Sequence, residues 1–136
     1  MCRSARSIAF ALMGSALLLL GVLTGCGNDP LAPFEPQVNN APDTFQMQAT
    51  GVQHVSLTRS YSWSNSGAQA TINHSTTTST GSAQLLIRDA AGTVVYDRAL
   101  APSLNEATAA GQAGTWNIVV TLSNYTGTLN FRAQKL

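Results

Sequence analysis

From Thr44 to the end of the chain, apolar side chains recur at every second position, the period of a strand with one face buried. Phe45, Met47 and Ala49 alternate with Gln46, Gln48 and Thr50. After Gly51, Val55, Leu57, Tyr61 and Trp63 share one register, broken by Arg59, so these segments look like two half-buried strands. Asn65-Ser66-Gly67 reads as a turn, and Ala68, Ala70 and Ile72 resume the alternation. The hydroxyl-rich run Ser75 to Thr80 fits either a solvent-facing edge or a loop. The strongest alternation, Trp116, Ile118, Val120 and Leu122, belongs in the centre of a sheet.

Two later segments share a plan. Leu85-Leu86-Ile87-Arg88 enters Asp89-Ala90-Ala91-Gly92 and leaves through Thr93-Val94-Val95-Tyr96. Ile118 to Leu122 enters Asn124-Tyr125-Thr126-Gly127 and leaves through Thr128-Leu129-Asn130-Phe131. Asp or Asn opens each turn by bonding its own backbone, and Gly supplies a positive φ, so each segment is expected to be a β-hairpin. The stretch Ala101 to Thr115, with Pro102 and many small residues, offers no clear helix.

The expected fold is therefore all-β, an antiparallel β-sandwich of about seven strands. The Asp89-Ala90-Ala91-Gly92 hairpin, the run Gly114-Thr115-Trp116-Asn117-Ile118-Val119-Val120 and the closing Gly127-Thr128-Leu129-Asn130-Phe131 resemble bacterial pre-peptidase C-terminal-type domains. That resemblance covers roughly Gly81 to Ala133 and implies a jelly-roll-like sandwich. It rests on turn and core residues, so it bears on fold rather than activity.

Ahead of the domain the composition changes. Arg3 and Arg6 precede an uncharged apolar run from Ile8 to Leu23, which reads as an N-terminal signal helix. The run is shorter than the roughly 20 residues needed to span a bilayer. It ends in Leu23-Thr24-Gly25-Cys26, which resembles the lipobox of bacterial lipoproteins. The resemblance implies cleavage after residue 25, diacylglyceryl and acyl (palmitate-type) modification of Cys26, and a permanent membrane anchor, since two or three chains hold firmly. Gly27, rather than Asp, follows the cysteine, which by the same resemblance points to the outer membrane or cell surface. Cys2 leaves with the signal peptide, so no disulfide is expected. Residues 26–43 contain Pro30, Pro33, Pro36 and Pro42 and read as a tether, with a reach of about 50 Å if polyproline-like. Phe34 is a large apolar group within it, and an incidental contact with the domain or lipid is expected for it. The organisation expected is thus signal peptide 1–25, lipidated Cys26 and tether 26–43, and sandwich 44–136.

Charge narrows the partners. The chain has seven Lys and Arg against six Asp and Glu, and loses Arg3 and Arg6 with the signal. No basic cluster tracks a phosphate backbone, so nucleic acid is not an expected partner. His54 and His74 are the only histidines, and His74 falls on the inward register. No G-x-S-x-G, H-E-x-x-H, P-loop or dinucleotide glycine pattern occurs, so no catalytic residue, metal site or cofactor is assigned and the chain is not expected to be an enzyme. Asp89 and Asp97 flank one hairpin and could ligate calcium, but turn formation and solvation explain them more simply. Among the aromatics, Trp63 and Tyr125 lie next to turns and are the candidates for stacking on a ligand. The expected function is that of a lipid-anchored cell-envelope lipoprotein, a non-catalytic interaction or structural module with an envelope protein or glycan as partner. The alternative is a carbohydrate- or calcium-dependent binding module.

Overall fold

A computed structural model describes residues 29–136; the signal peptide and Cys26 lie outside the described residues. Seven strands follow a one-turn 3-10 helix at Ala32–Phe34: β1 (Gln37–Ala41), β2 (Thr44–Asn65), β3 (Ala70–His74), β4 (Thr77–Arg88), β5 (Val94–Ala99), β6 (Leu104–Ala107) and β7 (Gly114–Lys135). Every pairing between them is antiparallel. The expected all-β antiparallel sandwich is the fold observed.

Two strands organise it. β2 and β7 pair along their whole length, from Thr44 opposite Gln134 to Asn65 opposite Gly114. Midway the register slips between Ala49 and Leu57, and both strands bend. Positive φ at Gly51 and His54 in β2, and at Asn124 and Gly127 in β7, makes the bend. The single pair thereby enters two layers. The first layer runs β1, the start of β2, the end of β7, β3 and β6. The second runs from the end of β2 through the start of β7 and β4 to β5.

Alternation decides which side chains fill the space between the layers. Phe45, Met47, Ile72, Leu85, Ile87, Trp116, Ile118, Val120, Phe131 and Ala133 are all buried. Phe45 of the first layer meets Tyr61 of the second at a ring separation of 5.2 Å. Trp116 lies opposite Trp63 near the start of β7, the strand that runs between β2 and β4 in the second layer. Arg59 and Tyr61 do continue the inward register of β2, but at its free edge, where each is only half-buried.

Three expectations are corrected. Residues 118–131 are not a hairpin: β7 runs straight through Asn124-Tyr125-Thr126-Gly127 with β2 as its partner on both sides. The Asn and Gly there provide the positive φ of a bend, and pairing prevents reversal. Residues 45–63 are likewise one bent strand rather than two. The expected tether is folded onto the domain from Asp29 onward. Leu31 is fully buried, Phe34 packs against the core and residues 37–41 form an edge strand. Its prolines are compatible with this because Pro33 lies in the 3-10 turn, and Pro36 and Pro42 flank β1 outside the ladder.

Candidate interaction face

The two aromatic candidates prove to be core. Trp63 and Tyr125 are each 0% exposed. Trp63 stands edge-on to Trp116 at 5.8 Å and donates its indole N–H to Ala41 O at 3.1 Å. Tyr125 donates its hydroxyl to Thr77 O, and burial raises the pKa of that hydroxyl. Neither ring can stack on a ligand, contrary to the expectation from their places beside turns. Tyr125 sits in the bend of β7, and Trp63 is tied to the last residue of β1.

The hairpin acids do not converge either. Asp89 Oδ1 accepts the backbone N–H groups of Ala91 and Thr93, at 3.0 and 2.8 Å, and Oδ2 accepts that of Gln112 at 2.8 Å. These bonds, led by Gln112, lower its pKa below the usual carboxylate range. Asp97 instead accepts from Gln84 on the outer face of the second layer. Among the described residues no group of three potential metal ligands gathers. His54 is exposed at the β2 bend, whereas His74 is buried on β3.

His74 belongs to a polar chain leading outward between β5 and β6. Its Nδ1 lies 2.8 Å from Leu100 O, an acceptor only, so Nδ1 carries the proton. Nε2 then accepts the Tyr96 hydroxyl at 3.2 Å. Burial, reinforced by the nearby Glu106 carboxylate, raises the Tyr96 pKa far above its ordinary value and keeps it protonated. Outside, Arg98 Nε binds Glu106 Oε1 at 3.1 Å across an open cleft of about 280 Å³. Every nitrogen of the histidine is thus engaged within the fold.

What the layers bring together is a face that periodicity alone does not reveal. On the outside of the first layer, register aligns Asn39, Gln46, Arg132, Asn73 and Asn105 in one row across all five strands. A parallel row holds Gln37, Gln48 and Asn130, and Asn130 Nδ2 reaches Ser75 Oγ at 3.0 Å. On the other side of the first row lie Thr44, Gln134 and Thr71. Same-face neighbours are about 5 Å apart across strands and about 7 Å apart along them. An open hollow of about 360 Å³ runs beside Gln37, Asn39, Gln46 and Gln48. Arg132 is the one charge in these rows. Each carboxamide both donates and accepts hydrogen bonds and does not titrate. The face therefore offers hydrogen-bond donors and acceptors side by side, and those of its carboxamides do not change with pH. The corresponding face of the second layer is different, with the hydroxyls Thr58, Ser60, Ser62 and Ser64 along β2.

No protein-family model matches the chain, and no curated protein matches it significantly.

Proposed function

We propose that the protein is a lipid-anchored, non-catalytic interaction module of the cell envelope, held at the outer membrane by acylated Cys26. Its binding surface is the carboxamide face of the first layer. The observation that carries this reading is the five-strand row of Asn39, Gln46, Arg132, Asn73 and Asn105, a hydrogen-bonding surface with a single charge. The internal commitment of His74 and Asp89 supports a non-catalytic role, because both side chains are used by the fold. The lipobox resemblance supports the anchor.

Labelling with a radioactive fatty acid, followed by membrane fractionation, tests the anchor. Wild type is expected to carry label in the outer membrane, and Cys26→Ala is expected to carry none. Chemical cross-linking of envelopes with wild type and with a Gln46→Ala/Asn73→Ala/Asn105→Ala variant tests the face. The partner bands are expected to disappear in the variant at an unchanged melting temperature; bands that persist refute the face assignment.

Carbohydrate recognition is the second reading. The carboxamide rows favour it, since sugar hydroxyls also donate and accept at once, and no aromatic platform is needed. Calcium dependence has less support, because the Asp89 carboxylate is already filled by three backbone N–H groups.

A further inference from the structure

The folded domain begins close behind the cysteine proposed to carry lipid. Asp29 Oδ1 accepts the Leu31 N–H at 3.0 Å and binds the Arg59 guanidinium on β2. Leu31, two residues on, is fully buried, and Phe34 packs against the core. The chain is thus fastened to the sandwich at position 29, and only Gly27 and Asn28 stand between that point and Cys26. Whatever conformation they adopt, three residue steps span at most about 11 Å. The headgroup layer on each side of a bilayer is itself about 6 Å deep.

We propose that this short connection seats the sandwich directly on the lipid headgroups through the side where β1 meets the end of β2. The inference rests on the reading of Cys26 as the lipidated residue. Without the docked turn, the chain from Cys26 to β1 would reach about 37 Å and the domain could face any direction. With it, one side is fixed toward the membrane. That side carries the Asp29–Arg59 pair, whose charges cancel, and Val38 on the free edge of β1, which is 40% exposed. Glu35 is also exposed there, so a zwitterionic surface suits this side better than an anionic one. In both layers the opposite edge, β6 and β5, points away from lipid, and the Arg98–Glu106 cleft with it.

The two tryptophans, both in the core, report the distance. Acylated full-chain protein is reconstituted into phosphatidylcholine vesicles containing a lipid with a dansyl headgroup, and tryptophan-to-dansyl energy transfer is measured. Efficient transfer is expected for wild type. Inserting a flexible Gly/Ser segment of about 20 residues between Asn28 and Asp29 adds a mean reach of about 25 Å and is expected to lower transfer at least threefold. The Asp29→Ala/Leu31→Ala variant, shown to be folded by near-ultraviolet circular dichroism, is expected to fall between the two. Transfer that is unchanged by the insertion, or wild-type transfer as weak as that of the inserted chain, overturns the seating. Acyl content measured on the same sample separates the two ideas: wild type without acyl groups refutes the anchor itself, and acylated wild type with weak transfer refutes only the seating.

Discussion

At the scale of single residues, polar groups inside the sandwich serve the backbone. Asp89 is the clearest case, since its carboxylate organises the β4–β5 turn and ties it to the stretch before β7. Asp29, Asp43 and Asp89 all have lowered pKa values, Asp43 through the Ser66 backbone N–H first and Asp29 through Arg59 first. A carboxylate whose pKa is depressed on folding stabilises fully above its unfolded value, about 3.9, and loses that contribution as pH falls toward the folded value. Urea melts at about pH 6, 4 and 3 should therefore show a steep acid loss in wild type. Asp89→Asn should start less stable at pH 6 and lose less on acidification. His74 has a second testable consequence. His74→Phe leaves Leu100 O and the Tyr96 hydroxyl without their buried partner and should cost about 1–3 kcal/mol in chemical denaturation. Period two alone placed His74 inward. Its partners, on β5 and the loop after it, depend on how the layers stack, which is not written in local pattern.

At the scale of elements, the sequence signals for positive φ were all real, but their meaning depended on pairing. Asp89 to Gly92 reverses the chain, because β4 and β5 then pair with each other. Asn124 to Gly127 carries the same signal and only bends β7, because β2 stays beside it throughout. Local chemistry specifies a dihedral angle; the neighbouring strand decides whether the chain turns back. The bend is also crowded. A Cβ at Gly127, where φ is 154°, would lie 2.0 Å from Thr77 O, whereas a Cβ at Gly92 would meet nothing within 4 Å. Gly127→Ala should therefore lower the melting temperature much more than Gly92→Ala, whose cost is limited to its positive φ. Scanning calorimetry of the two variants checks this ranking. The carboxamide face was hidden for the same reason: Gln46, Asn73, Asn105 and Arg132 are outward by alternation, yet only the strand order makes them a row.

At the scale of the whole molecule, the sandwich was legible because alternation covers almost the entire domain. The domain boundary was not, because prolines between 30 and 42 suggest an extended tether, while the burial of one leucine decides otherwise. Leu31 is one of the fully buried members of the core. Leu31→Ala should cost about 2–5 kcal/mol, the range for emptying a fully buried leucine site. A chain beginning at Thr44, without β1 and Leu31, should aggregate or expose its core to a hydrophobic dye, while one beginning at Asp29 should melt cooperatively. Equal behaviour of the two chains would show that residues 29–43 are dispensable.

The continuous pairing of β2 with β7 also sets how the fold responds to force. β7 lies between β2 and β3 in one layer and between β2 and β4 in the other. Its last residues sit beside the first residues of β2, so tension between Lys135 and Thr44 loads that ladder one rung at a time instead of shearing many rungs together. A protease that draws substrates in from that end would extract the central strand first and collapse both layers in the same stroke. A pull from the Asp29 end meets Leu31 and the edge strand before it reaches β7. The molecule is therefore mechanically polar, weak to traction at one end and buffered at the other.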